Sequence, residues 1–312
     1  MGELLSVVIP SYNEEKMINL CANTIHSILV RAQIEHELIF VDDGSKDSTW
    51  ENIEKISEEL SVVRGIHFSR NFGKESAIYA GLYYAKGDCS IVIDCDLQHP
   101  PQKIVEMYHL WQDGYEIVEA VKSSRGKESL FYALCAKWFY DIISGVTHID
   151  MNRASDFKLL DRKAVIALLN MKEKNSFFRA LSSWIGFKTI QVEFNVQERV
   201  EGESKWSTWS LIKYAISNVS AFSTAPMQLV TVLGVIMFLV SIVMGTTSLI
   251  QKILGQALEG FTTVIILQLF SSSLVMVSLG IIGYYISKIY EEIKGRPKYI
   301  VSETCGGTED VE

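Results

Sequence analysis

Two aspartates two residues apart, Asp94 and Asp96, close the short apolar run Ser90-Ile91-Val92-Ile93, and Gln98, His99, Pro100 and Pro101 follow. Carboxylates this close repel each other unless something positive stands between them. A divalent cation holding a diphosphate meets that need, with Gln98 adding a neutral oxygen ligand. A solvated turn before a helix is the other reading, and the motif alone does not choose between the two. Cys95, between the acids, is tempting as a nucleophile. Side chains alternate at strand ends, however, so its thiol is expected to point away from both carboxylates.

The apolar run has the look of a strand buried on both faces of a parallel sheet, and open α/β sheets bind ligands beyond the carboxyl ends of such strands. Leu4 to Ile9 reads as a first strand, closed by Pro10-Ser11-Tyr12-Asn13-Glu14-Glu15, which opens a helix to about Val30. Leu38 to Val41 is a second strand, ending in Asp42-Asp43-Gly44-Ser45 and leading to a helix over about 49–60. Val62 to Phe68 is a third, followed by Ser69-Arg70-Asn71-Phe72-Gly73-Lys74 and a helix through Ala85. A helix at about 101–113 and a fifth strand, Glu116 to Val121, complete a βαβα rhythm typical of an α/β domain with a mostly parallel sheet. Strands one, two and four each end in acids or amides, and in a parallel sheet those ends share one side. Further on, Asp156 precedes a short strand, helical pieces follow at about 162–170 and 177–185, and Phe187 to Phe194 reads as a strand. No Gly-x-Gly-x-x-Gly or P-loop motif occurs, so any phosphates are neutralised by other means.

The 312 residues, 48% hydrophobic, suffice for one large or two ordinary domains. Residues 227–250 and 261–287 carry no charge and are each long enough to cross a bilayer. They are too long and too late for a signal peptide, and no N-terminal leader is expected. The organisation expected is therefore a soluble domain over residues 1–200, a juxtamembrane amphipathic region over 201–225, two transmembrane helices over 226–290 and a tail over 291–312. Residues 122–129 form a basic loop, and an aromatic-rich helix is expected over 128–145, for core packing or for contact with a membrane surface. Trp206 to Phe222 is suited to a membrane interface. Lys205 and Lys213 precede the first apolar run, and Lys288, Lys294, Arg296 and Lys298 follow the second. The short connection holds only Lys252 and Glu259. The positive-inside rule therefore puts the N-terminal domain and the tail in the cytoplasm. A net charge of −8 argues against a nucleic-acid partner. Five scattered cysteines without metal-ligand spacing fit a reducing compartment.

Several motifs in order, Val8-Ile9-Pro10 with Tyr12 to Glu15, Asp42 to Ser45 with Asp47 and Thr49, Ser69 to Lys74, Asp94 to Pro101, Asp156 to Arg162 and Gly202 to Trp206, give the chain its resemblance to a known family. It resembles, over nearly its whole length, bacterial membrane-anchored polyprenyl-phosphate glycosyltransferases of glycosyltransferase family 2, of the same kind as dolichyl-phosphate mannose synthase. The resemblance implies a GT-A, Rossmann-like nucleotide-sugar-binding domain, followed by interfacial helices and a two-helix transmembrane hairpin in a bacterial cytoplasmic membrane.

It further implies that Pro10, Tyr12, Glu14 and Asp43 line the nucleotide pocket, with Asp42 behind Asp43. Asp94 would touch the nucleotide sugar, and Asp96 and Gln98, beside Asp94, would hold Mg²⁺ or Mn²⁺. Lys122 and Arg125 match two basic positions, the first more often arginine. Asp156 would sit against the acceptor phosphate or donor sugar, while Arg179, Arg199 and Lys205 would grip phosphates. Cys95 stands where alanine is usual and Ser155 where glycine is usual. The implied reaction is inverting transfer of a sugar from a nucleotide donor, UDP-linked by resemblance, to undecaprenyl phosphate for cell-envelope glycan modification. A processive polysaccharide synthase, which would need more spans and a clear catalytic base, and a non-catalytic assembly or export protein are the alternatives. The sugar and the oligomeric state stay open, with room for helix packing between copies in a homo-oligomer.

Overall fold

The computed structural model describes residues 3–122, 155–171, 173, 177–194, 225–254 and 260–307. The expected aromatic helix over 128–145 and the amphipathic stretch from Trp206 lie outside them, as do Arg125, Arg199 and Lys205. The chain divides into two compact units, residues 1–206 with 296–312 and residues 207–295.

The first unit is built on an eight-stranded sheet of order β7-β5-β6-β4-β1-β2-β3-β8. Its strands are β1 (Leu5–Ser11), β2 (His36–Asp42), β3 (Val63–Phe68), β4 (Cys89–Val92), β5 (Ile117–Lys122), β6 (Lys158–Asp161), β7 (Thr189–Phe194) and β8 (Val301–Cys305). The central pairings of β1 with β2 and β4, and of β2 with β3, are parallel. β6 runs antiparallel to both β4 and β5, and β8 antiparallel to β3.

β1 and β2 are buried at every position because helices cover both faces, which suits the apolar runs Val7 to Pro10 and Leu38 to Val41 at their centres. Alternate residues go to opposite sides. Val7, Ile9, Leu38 and Phe40 join the larger core, to which α1 (Ile18–Arg31), α2 (Thr49–Glu59) and α4 (Lys103–Gln112) contribute Ile25, Ile53 and Ile104. Ile39, Val41 and Phe68 face Ala77 and Ala80 of α3 (Lys74–Tyr84). After β6 come α5 (Arg162–Leu169), whose N-cap Asp161 accepts the Lys163 N–H at 2.8 Å, and the seven-residue α6 (Phe178–Trp184).

Two boundaries differ from the sequence reading. β1 continues through Pro10 to Ser11, and α1 starts only at Ile18, because the intervening residues are stitched to the loop after β2. Residues 301–305, read as tail, form edge strand β8. Tyr299 stacks on Phe68 with centroids 5.0 Å apart, and Trp50 Nε1 donates to Glu303 at 3.0 Å.

The second unit contains α7 (Ala225–Ile253) and α8 (Phe261–Ile293). Both helices are long and apolar enough to cross a membrane. Large apolar side chains such as Phe238, Val243, Met276 and Leu279 are exposed along them, the reverse of the sheet unit. Apolar surface of this extent is of the kind that a bilayer or a protein partner covers.

The close approach of two loops depends on Gly44, which sits at φ +66°. A Cβ there would lie 2.4 Å from the Arg70 carbonyl carbon and 2.7 Å from Asn71 N. Gly44→Ala is therefore expected to cost at least ~2 kcal/mol through strain and overlap. Thermal unfolding of the detergent-solubilised protein would read this, and an unchanged melting temperature would show the loops to be less tightly apposed.

Candidate active site

The parallel strands β4, β1 and β2 deliver their carboxyl ends to one edge of the sheet, and antiparallel β6 starts at that same edge. Four charged side chains meet there. Asp94 follows β4, Asp156 precedes β6, Lys74 opens α3 and Arg179 lies in α6. Lys74 Nζ is 2.5 Å from Asp94 Oδ1 and 2.8 Å from Asp156 Oδ2, so one ammonium is shared by two carboxylates. Arg179 grips Asp156 in a fork, Nε to Oδ1 at 2.6 Å and Nη2 to Oδ2 at 2.9 Å.

Burial alone would raise the Asp156 pKa, but Lys74 and Arg179 reverse this and hold the carboxyl far below the usual range. Burial would likewise lower the Lys74 pKa, yet Asp156 and Asp94 keep it above normal. Asp94 is also held low, burial being overcome by Lys74 and His99. His99 is buried, stacked on Phe157 at 5.1 Å, and its Nδ1 has no hydrogen-bond partner 3.9 Å from Asp94 Oδ2. Burial keeps its pKa below the ordinary value.

From Asp94 to His99, burial alternates with period two. Asp94, Asp96 and Gln98 are half-buried, whereas Cys95, Leu97 and His99 are buried. The acids and the amide therefore open to one side while Cys95 goes to the core. Its thiol, near Cys21, has its pKa raised by a hydrogen bond with Cys21 and by burial, which removes it as a nucleophile. Asp96 Oδ1 accepts the Gln98 N–H at 3.1 Å in a turn with Leu97 at φ 55°. Among the described residues no three His, Cys, Asp or Glu side chains converge as a metal cage. Asp94, Asp96 and Gln98 would make up a donor set of oxygens alone. This suits Mg²⁺ or Mn²⁺ that takes its remaining ligands from a diphosphate and water, and it does not suit a site closed by protein alone.

The loops after β1 and β2 form the other half. Asn13, at φ 53°, gives its N–H to Ser45 Oγ at 2.8 Å and accepts the Lys46 N–H at 2.9 Å. The Glu14 N–H donates to Thr49 Oγ1 at 2.9 Å. Asp42 is fully buried, hydrogen-bonded by the Ser45 hydroxyl and by His67 Nδ1, the latter at 2.7 Å. Asp43 accepts the N–H groups of Phe72 at 2.6 Å and Gly73 at 2.9 Å. Burial pushes its carboxyl up to about 6 despite those two donors, and the neighbouring Asp42 charge adds to the rise. Pro10 is buried in β1 beside Val41, and Tyr12 is exposed. Ser155, in place of the glycine usual in the resembled family, donates to the Ala120 carbonyl at 2.5 Å.

Of the residues singled out from the sequence, the structure brings together Asp94, Asp156 and Arg179, with Asp96 and Gln98 on the adjoining turn. The backbone of Lys122 ends β5 at the same edge. Lys74, Glu75 and His99 are additions. The signal for Lys74 was present, as a cation directly after Gly73 where a helix begins.

This layout is that of a nucleotide-sugar transferase fold, and the chain belongs to glycosyl transferase family 2, whose model matches residues 6–170. It is 39% identical over 303 residues to the Bacillus subtilis (strain 168) glycosyltransferase YkcC, covering 96% of this chain and 94% of that one. It is 35% identical to the prophage bactoprenol glucosyl transferase homolog of Escherichia coli (strain K12), over 95% of this chain and 98% of the relative. Glucosyl-3-phosphoglycerate synthase from Mycobacterium tuberculosis, solved with Mn²⁺, UDP and phosphoglyceric acid, shares the fold. Its TM-score is 0.51 at 18% identity, covering 70% of this chain and 77% of that one.

Glu75, beside this cluster, accepts the Phe178 N–H at 2.8 Å. Burial and the Asp156 charge push its carboxyl up to about 7, opposed by the Phe178 N–H, Arg179 and Lys74. A folded-state value above the unfolded one means that ionisation destabilises the fold as pH rises from about 4.5 to 7. Glu75→Gln removes that penalty while retaining an acceptor. The variant should melt roughly a few degrees above the native chain at pH 8 and level with it near pH 4. An equal difference at both values would place the titration elsewhere.

Proposed function

We propose that this glycosyltransferase moves a sugar, with inversion, from a nucleotide sugar to a polyprenyl phosphate, undecaprenyl phosphate in a bacterial membrane. The observation that carries this reading is the state of Asp156. A carboxylate held ionised by a shared lysine and a bidentate arginine is a weak base. A sugar-hydroxyl acceptor needs a base, whereas a phosphate monoester is largely ionised near neutral pH already. Such an acceptor needs cations in the right place, and this edge of the sheet provides them.

In this reading Asp156 orients Arg179 and Lys74, and Arg179, with Lys122, Arg125, Arg199 and Lys205, takes the phosphates. Pro10, Tyr12, Glu14 and Asp43 line the nucleotide pocket, and Asp42 braces the loop through Ser45 and His67. Asp94, Asp96 and Gln98 would hold Mg²⁺ or Mn²⁺, which when bound neutralises charge on the leaving diphosphate. The names of the prophage relatives, matched over nearly their full length, support the lipid-phosphate acceptor.

The domain layout supports a membrane hairpin. Residues 1–200 form the catalytic domain, 201–225 the juxtamembrane region, 226–290 the two spans and 291–312 the tail. The chain leaves the sheet unit before α7 and returns to it at β8, so an even number of crossings separates the two visits. Two spans with both ends on the cytoplasmic side satisfy this and the distribution of lysines. A processive polymerase would need a channel of further helices.

Membranes carrying the chain, given a panel of UDP- and GDP-sugars with undecaprenyl phosphate, are expected to yield an organic-extractable, mild-acid-labile monosaccharide lipid. A long insoluble polymer would overturn the reading. Asp96→Asn should reduce transfer to near background and weaken metal-dependent donor binding, and full activity in the presence of a chelator would remove the metal assignment. Arg199→Ala and Lys205→Ala should each lower turnover at least ~10-fold without altering the melting temperature. A fully active variant would take that residue out of the phosphate grip.

A further inference from the structure

Lys158 is 1% exposed, among the most deeply buried large side chains of the protein. It stands two residues beyond Asp156 on β6, opposite Glu119 of β5, and its ammonium lies 2.9 Å from Glu119 Oε1. The other Glu119 oxygen accepts Gln191 Nε2 of β7 at 3.2 Å. From this base Lys158 reaches out of the sheet to a single target, the helix α6. It donates to Ser182 Oγ at 2.9 Å and, at longer range, to the Arg179 carbonyl at 3.3 Å and Ser183 Oγ at 3.4 Å.

α6 is short, and its N-cap residue, Phe177, makes no side-chain cap hydrogen bond. Seven residues do not hold a helical conformation unaided, so its orientation is imposed from outside. Two groups grip its backbone. Glu75 of α3 takes the Phe178 N–H, and Lys158 takes the Arg179 carbonyl from beneath. Arg179 is thereby held at its main chain by one lysine while its guanidinium forks onto Asp156.

A buried ammonium is costly, and an apolar side chain of similar volume would pack the same space with less desolvation. Burial does lower the Lys158 pKa, with Glu119 opposing. What an apolar residue cannot do is bond α6 at three points.

We propose that Lys158 is a positioning residue for transfer, fixing α6 on the sheet so that the Arg179 fork meets Asp156 and the acceptor phosphate in register. This rests on the assignment of Arg179 and Asp156 to the acceptor end of the site. The lysine itself does not touch substrate. It acts through Arg179, and the Glu119–Lys158–Ser182 chain transmits the rigidity of three strands to a helix too short to be rigid alone.

The test uses the full-length chain in membranes, with undecaprenyl phosphate and the panel sugar nucleotide that the native chain consumes. Lys158→Met combined with Glu119→Gln leaves no lone buried charge. It should melt close to the native chain and keep the KM for the sugar nucleotide. Its kcat/KM for undecaprenyl phosphate should fall at least tenfold. Added to Arg179→Ala, it should cost less than a further twofold, because both changes disable the same fork. Native turnover in the folded double variant overturns the proposal, as does a loss that adds in full to that of Arg179→Ala. If the double variant does not fold, Ser182→Ala removes the 2.9 Å contact together with the 3.2 Å hydrogen bond that the Ser182 hydroxyl donates to the Arg179 carbonyl. It should lower the same acceptor parameter severalfold at unchanged melting temperature, and unchanged turnover would again overturn the proposal. Full activity of Arg179→Ala alone would refute the acceptor assignment itself, a result distinct from an intact Lys158 variant beside a crippled Arg179→Ala.

Discussion

Two carboxylates brought to one sheet edge, Asp156 buried and Asp94 half-buried, repel each other unless a cation stands between them, and Lys74, partly open to solvent, is that cation. Its contacts with Asp94 and Asp156 join the end of β4 to the start of β6, two strands that neighbour each other but run in opposite directions. Desolvation works against every member of the cluster, and only their mutual attraction overcomes it. The rest of the edge is arranged to keep that balance. Arg179 completes the charge around Asp156, and burial against Phe157 lowers the His99 pKa while the Asp94 carboxylate opposes that shift. In the proposed reaction a ligand with phosphates would enter a site whose charges are already paired and would trade partners with them.

The donor half works differently, with backbone donors in place of cations. Asp42 and Asp43 are consumed in holding loops. One is tied to Ser45 and His67, the other to the amides that lead into α3 and so to Lys74. The carboxylates on β2 therefore set the position of the lysine that serves the carboxylates on β4 and β6. Mutual bracing of this kind explains why residues far apart in sequence, from Asn13 to Lys46 and Thr49, share so many side-chain-to-backbone bonds.

Much of this was legible from the sequence because its causes are local. Unbroken apolar runs mark strands covered on both faces, and acids at the ends of three such runs must share an edge if the strands are parallel. The alternation that turns Cys95 inward follows from strand geometry alone. Uncharged runs over twenty residues long announce α7 and α8 just as directly. The partnerships were not legible, because they depend on sheet order. Nothing in Lys158 or Glu75 as letters distinguishes them from solvated charges, and only the antiparallel entry of β6 and the return of α6 bury the first and half-bury the second. β8 was missed for a different reason. An edge strand with one open face carries Ser, Glu and Thr, and its pairing partner lies more than two hundred residues earlier.

That long-range pairing bears on how the protein is made. β3 is synthesised early, but its neighbour β8 emerges only after both α7 and α8. Domains ordinarily fold as units while later parts of the chain are still being produced. Here one edge of the sheet stays unpaired until both apolar helices have been synthesised. Unpaired edges are where chains associate wrongly, so β3 carries that risk for as long as the two helices take to be made. A chain that ends before Val301–Cys305 would keep the β3 edge open beside Phe68.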